Sequence, residues 1–344
     1  MNAATDTFQD WLLQGLVPLC GADTTSGRED AGLPVLRSLL EGLGAERVEQ
    51  AVAPGRTNVL ALWGQPRVLF STHLDTVPPY LPPVLEADRV TGRGSCDAKG
   101  QIMAQLGAVK RLLAEGRGGL AWLGVVGEET DSAGAEAALA LATRMPDLRA
   151  LVNGEPTEGR LATGQRGVQR WRLSTTGIPA HSGTPELGRS AAWPLLDWLQ
   201  RLRADGFPTD PELGPEIWNL GLLEAGEAPN VVPAHAEAQL LARVLPDSAF
   251  GRRLRALAPP EGRVELLLDE PPDRYPELPG FPRAPMPFGS DAPRLRALVP
   301  DRTVVLAGCG SIAVAHTDHE HLLHADLLAG VDLNRSLALH FLES

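Results

Sequence analysis

Four short apolar runs in this chain each lead into acidic or histidine residues, and that recurrence limits the folds open to it. Leu120–Gly127 is followed by adjacent Glu128 and Glu129, and Arg67–His73 runs into His73-Leu-Asp75. Ala150–Asn153 is followed by Glu155, and Val304–Gly308 leads toward His316. Two neighbouring carboxylates at the tip of a buried strand are costly unless a cation or a proton-transfer role compensates. A further strand reads at Asn58–Trp63, and helices read at Glu29–Gly42, Gly100–Glu115 and Ser132–Arg144. This alternation predicts an α/β/α domain with a mostly parallel central sheet. In such sheets a ligand site lies outside the carboxyl ends of the strands, where these residues fall.

From about Gln165 the rhythm changes. Strands read at Val168–Thr176, Glu216–Leu223, Glu237–Val244 and Arg263–Leu268, with helices at Gly188–Ala204 and Ser248–Ala258. The order βαββαβ is the ferredoxin-like motif. A proline-rich return over Pro271–Pro287 precedes Ser290–Leu298, Thr303–Ala307 and Ala325–Phe341, a helix, a strand and a helix that complete the first domain. The expected boundaries are therefore 1–166 with 277–344 for the larger domain and 167–276 for the insertion. A chain of 344 residues is long enough for both. The net charge of −12 comes with no basic cluster, which argues against nucleic-acid and anionic-membrane partners. Cys20, Cys96 and Cys309 form no framework. No basic leader and no membrane-length apolar run is found, so the expected location is cytoplasmic.

Taken singly, the polar residues at the strand tips have plain readings as well as chemical ones. The i, i+2 spacing of His73 and Asp75 puts both on one face of a strand, where Asp75 can orient the imidazole. Asp97, in the glycine-flanked stretch Gly92–Gly100, reads as a helix cap or as a ligand. Adjacent side chains on a strand tip point in opposite directions, so one of Glu128 and Glu129 can hold metal while the other faces the reacting centre. Glu155 is a solvated loop residue or a ligand. His316, His319, His321 and His324 compete for one role, and at least two of them are expected to be polar residues on an exposed helix start. No His-Glu-x-x-His motif occurs. Two imidazoles with three carboxylates and a spare glutamate suit zinc, cobalt or manganese rather than copper.

The motifs His73-Leu-Asp-Thr-Val-Pro78, Gly92–Gly100, Gly127-Glu-Glu129, Gly154-Glu-Pro-Thr157, Ala180-His-Ser182, Pro229-Asn-Val-Val-Pro233, Gly289-Ser-Asp291 and His316-Thr-x-x-Glu320 occur in one order along nearly the whole chain. In this the chain resembles the co-catalytic zinc amidohydrolases and metallopeptidases that include acetylornithine deacetylase, succinyl-diaminopimelate desuccinylase, aminoacylase and carboxypeptidase G. The resemblance implies two divalent ions, Zn²⁺ or Co²⁺, with Asp97 bridging them. His73 and Glu155 would complete one site, Glu129 and His316 the other. It makes Glu128 the general base, Asp75 the partner of His73, and His181 a donor to the oxyanion, in its own subunit or across a dimer. Arg166, Asn230, Arg243, Gly289 and Ser290 become substrate contacts, and lid closure is expected to bring His181, Asn230 and Arg243 onto the metals. The resemblance also implies a cis Asp97–Ala98 peptide and a homodimer through the lid. Cys309 stands where the family usually has proline, a departure expected to loosen that loop.

The function expected from this resemblance is removal of the acyl group from a small N-acyl-amino acid, most of all acetylornithine. The alternatives are a dipeptidase or carboxypeptidase, or a deacylase for acetyl-lysine, acetyl-citrulline or succinyl-diaminopimelate. Two other classes, an inactive metal-binding interaction protein and a two-metal phosphoesterase, fit less well. The first has no use for a spare base at Glu128, and the second has none for the Ala180-His-Ser182 and Asn230 elements.

Overall fold

The structure, a computed structural model, describes residues 3–299 and 303–343. The chain divides into two compact units, the first running to Thr163 and resuming at Tyr275–Ala284 and from Ser290, the second comprising Gly164–Arg274 and Pro285–Gly289. The expected boundaries at 166 and 277 lie two to three residues late. Gly164–Gln165 pairs with Asp273–Arg274 as a short antiparallel ladder, which draws both segments, and Arg166 with them, into the inserted unit.

The first unit is built on one six-stranded sheet. Its strands are β1 (Glu46–Ala53), β2 (Arg56–Trp63), β3 (Val68–His73), β4 (Leu120–Val125), β5 (Ala150–Asn153) and β10 (Thr303–Leu306), in the order β1-β2-β4-β3-β5-β10. β1, β2 and β4 pair antiparallel, whereas β4-β3, β3-β5 and β5-β10 pair parallel. β3 and β4 are buried along their whole length, as strands covered on both faces must be. Helices α1 (Ala3–Gly21), α2 (Leu33–Gly42), α3 (Lys99–Ala114) and α8 (His324–Glu343) contribute Leu12, Leu36, Ile102 and Val331 to the same core as Phe70, Trp122 and Val305, and two short helices, α4 (Ala133–Ala138) and α7 (Ala292–Leu295), belong to the same unit. The α3–α8 contact depends on Gly107, where an added Cβ would sit 2.8 Å from Val331.

The inserted unit has β6 (Gly167–Thr176), α5 (Ala192–Ala204), β7 (Ile217–Ala225), β8 (His235–Val244), α6 (Phe250–Leu257) and β9 (Arg263–Glu270). The sheet order β7-β8-β6-β9, antiparallel throughout, is the expected ferredoxin-like arrangement. β8 alternates as a half-buried strand should, with Ala236, Ala238, Leu240, Ala242 and Val244 packed inward. Trp171, Leu195, Trp198, Phe250 and Leu254 complete this second core. Among the described residues no helix is long and apolar enough to cross a membrane.

Candidate metal centre

The parallel registers decide where the chemistry sits. His73 lies opposite Val125, Ser71 opposite Asn153, and Asn153 opposite Leu306, so β3, β4, β5 and β10 end at one edge. Cross-links hold these ends: Thr72 Oγ1 donates to Gly154 O at 2.9 Å, and Asn153 Nδ2 to Ser71 Oγ at 3.0 Å. His73 is the last residue of β3, and Glu155 follows β5 by two positions. Glu128 and Glu129 do not stand on the strand itself, because β4 stops at Val125 and Gly127 turns the chain with φ +77°. That φ favours glycine, and an added Cβ would also fall 1.7 Å from Arg56 Nη2, displacing the guanidinium. Arg56 grips the same loop through both oxygens of Asp131, at 3.0 and 2.9 Å.

Asp97 is the hub. Its Oδ1 lies 3.0 Å from His73 Nε2, and its Oδ2 lies 3.2 Å from His316 Nε2. His316 Nε2 also lies 2.9 Å from Glu129 Oε1, and His73 Nε2 lies 4.0 Å from Glu155 Oε2. The five residues expected as metal ligands thus form one connected set. Donor atoms of His73, Asp97 and Glu129 all fall within 4.8 Å of one another, the arrangement that could hold an ion. The Asp97–Ala98 peptide is cis, as expected. His319 and His321 lie apart, His321 Nδ1 against the backbone oxygen of His319 at 2.8 Å. His324 opens α8, its Nδ1 3.5 Å from Gln9 Nε2.

The electrostatics are those of a site short of positive charge. Burial pushes the Glu128 carboxyl well above the usual range; the nearby His73 opposes this, and Glu155, Asp291 and Glu129 add to it. Glu155 is driven up in the same way, by burial first and then by Asp97, Glu129 and Asp291, against His73. Asp97 is buried too, but hydrogen bonds from His316 and His73 hold it below the usual carboxylate range. Hydrogen bonds to Asp97 and Glu129 raise His316 to about 10, the response of an imidazole to the surrounding carboxylates. Six carboxylates (Asp75, Asp97, Glu128, Glu129, Glu155, Asp291) against two imidazoles, with mixed N and O donors, fit divalent ions of the zinc type.

Asp75 does more than expected. His73 Nδ1 meets the backbone oxygen of Asp75 at 2.9 Å and its carboxylate Oδ1 only at 3.5 Å. That carboxylate instead accepts the backbone N–H groups of Glu128 and Glu129 at 3.1 and 3.2 Å and the Ser26 hydroxyl at 2.8 Å. Asp75 therefore ties the His73 strand to the loop of the two glutamates.

Two residues of this site were not singled out from the sequence. Buried Glu320 accepts N–H from Gly94, Cys96 and Asp97 through Oε1 and binds Arg93 Nη1 at 2.7 Å through Oε2. It fixes the loop that presents Asp97; its only signal was its place in His316-Thr-x-x-Glu320. Asp291 belongs to the Gly289-Ser-Asp291 motif, in which Gly289 and Ser290 are the expected substrate contacts. It is buried beside the centre, and burial raises it to about 7 against Ser132 and Arg294. The turn at Cys309, where loosening was expected, is tied to Gln101 by two hydrogen bonds. Gln101 receives the Cys309 N–H on Oε1 at 3.0 Å and donates to its carbonyl at 2.7 Å.

The expected substrate contacts lie mostly in the inserted unit. His181 and Asn230 are exposed neighbours: Ser182 N donates to Asn230 O at 3.0 Å, and His181 bridges Val231. Arg166 and Arg243 adjoin at the other end of the β6–β8 ladder, where Gly167 faces Val244 while Thr176 faces His235. The intervening stretch of β6 spans about 30 Å. One inserted unit cannot bring His181, Asn230 and Arg243 onto a single small substrate, contrary to the expectation for lid closure. Gly289 falls in the inserted unit, and Ser290, buried, in the first.

A peptidase dimerisation domain matches residues 163–258. A peptidase M20 domain-containing protein of Schizosaccharomyces pombe is 32% identical over 92% of this chain and 82% of its own length. A protein named probable carboxypeptidase from Aspergillus clavatus is 33% identical over 88% of this chain and 76% of its own. The solved aminopeptidase PepT of Bacillus cereus shares the fold, with a TM-score of 0.79 at 18% identity, covering 97% of this chain and 99% of the other. With its strand-tip carboxylates and imidazoles gathered on Asp97 and a relative this similar over most of both lengths, the chain belongs to the peptidase M20 family.

Proposed function

We propose that this chain is a two-metal peptidase that hydrolyses the amide bond next to a free C-terminal carboxylate, as a carboxypeptidase or dipeptidase does. The observation that carries the reading is Asp97, whose two oxygens reach separate imidazoles at 3.0 and 3.2 Å. His73, Asp97 and Glu155 would hold one ion, and Asp97, Glu129 and His316 the other. Bound there, two divalent ions would supply Lewis acidity, making water nucleophilic near neutral pH and favouring negative charge on the carbonyl oxygen. Glu128, outside the ligand set, takes a proton from water and returns it to the leaving amine. Its raised carboxyl affinity for protons suits that return.

Arg166 and Arg243 are the proposed carboxylate clamp. Burial and the charge of Arg166 pull Arg243 below the usual arginine range, with Glu270 opposing, so an added carboxylate relieves a cation pair. A relative named carboxypeptidase favours peptide hydrolysis over the acetylornithine reading, although both break the same kind of bond. The test is a substrate panel on zinc- and cobalt-loaded protein: dipeptides, the same dipeptides amidated at the C-terminus, and N-acetylornithine. Free dipeptides are expected to be hydrolysed best and their amides poorly. Faster cleavage of N-acetylornithine than of any dipeptide would restore the deacetylase reading.

The same reading includes a homodimer through β7. This edge strand exposes Ile217, Leu220, Leu222 and Leu223, the last two at 56% and 45%, which is unusual for a strand left uncovered. The separation of His181 and Asn230 from Arg166 and Arg243 then has a use, with His181 polarising the carbonyl of a substrate held by the partner subunit. A mixture of His181→Ala and Glu128→Gln chains, dissociated and reassembled together, is expected to recover activity that neither has alone. No recovery in verified mixed dimers would place His181 in its own subunit or outside the reaction.

A further inference from the structure

The opposite edge of the large sheet carries a second concentration of charge that the hydrolytic centre does not use. Arg67 and Arg149 directly precede β3 and β5, whose pairing sets Val68 against Ala150, and Arg149 N donates to Arg67 O at 2.7 Å. The two arginines are thus cross-strand neighbours at the strands' beginnings. Like charges placed side by side in this way repel. Among the described residues neither guanidinium has an acidic partner within ion-pair distance, and Arg67 Nε, shut off from solvent, meets no acceptor. Both line a cavity of about 590 Å³ with Gln65, Pro146, Asp147, Leu148 and Leu298. That volume lies within the roughly 300–1,000 Å³ of small-molecule sites, which combine apolar walls with a few polar anchors.

We propose that this cavity binds a small organic anion whose carboxylate or phosphate group lies on Arg67 and Arg149 and whose apolar part packs on Pro146, Leu148 and Leu298. A guanidinium pair is suited to planar or tetrahedral oxyanions through paired N–H donors. The site is separate from the hydrolytic one: six residues of β3 set Arg67 about 20 Å from His73.

The test is hydrogen exchange on the metal-loaded protein, read with increasing phenyl phosphate, phenylacetate or neutral benzyl alcohol. Either anion is expected to slow exchange over residues 65–67 and 148–150. Arg67→Gln and Arg149→Gln should each weaken that effect by about tenfold or more, as loss of a charge-assisted hydrogen bond does. A response to phenyl phosphate alone assigns the phosphate class, and a response to phenylacetate assigns the carboxylate class. Arg149 is exposed, so its variant carries the test if the Arg67 variant fails to fold. No slowing with either anion, an equal effect of benzyl alcohol, or undiminished binding in a folded variant would overturn the proposal.

Discussion

Glu128→Gln is expected to bind metal as the unaltered chain does and to lose peptide hydrolysis by at least ~10²–10⁴-fold, the usual cost of removing a general acid–base group. Amide and carboxylate are nearly isosteric, and neither His73 nor His316 is ion-paired with the Glu128 side chain. Its backbone N–H stays on Asp75 Oδ1, so the loop keeps its place. Metal content by atomic absorption, taken with turnover of a dipeptide, checks both halves. A variant that keeps most of its activity, or sheds its metals, would contradict the role given to Glu128.

Asp97→Asn is expected to do the reverse and abolish metal binding and activity together. One neutral oxygen and one N–H₂ group cannot serve both His73 and His316, which now share the two oxygens of a single carboxylate. The loss in affinity should exceed the roughly 10–100-fold seen when only an outer partner of a ligand is removed. The loop itself should survive, because Glu320 holds it through backbone N–H groups that the substitution leaves alone. Calorimetric titration of the metal-free variant with zinc measures this directly. Tight binding of two ions would show that Asp97 is not shared between them.

Much of this centre was legible because its parts obey local rules. β3 and β5 read as strands from their apolar runs, and the residues that follow them fell where a parallel sheet places its ligands. The inserted unit was legible for the same reason, with β8 alternating in period two along its whole length. β1 was missed: its alternation of Glu46, Arg47, Glu49 and Gln50 with Val48 and Ala51 is that of a polar edge strand. Local spacing could not say which of four histidines joins Asp97, since only the tertiary path of the chain brings His316 there. Glu320 and Asp75 act through backbone N–H groups of distant loops, and side-chain identity gives no hint of such partners. The hydrogen bonds of Cys309 are out of local sight in the same way, because their partner Gln101 stands two hundred residues earlier in the chain.

The most direct test of a shared two-ion centre is hydrolysis of a dipeptide by the metal-free protein as zinc is added in steps. Activity should be absent at the start, rise with added metal and level off at two ions per chain, and Asp97→Asn should stay inactive throughout. Full activity before any metal is added, or a plateau that the Asp97 variant reaches equally well, would contradict it.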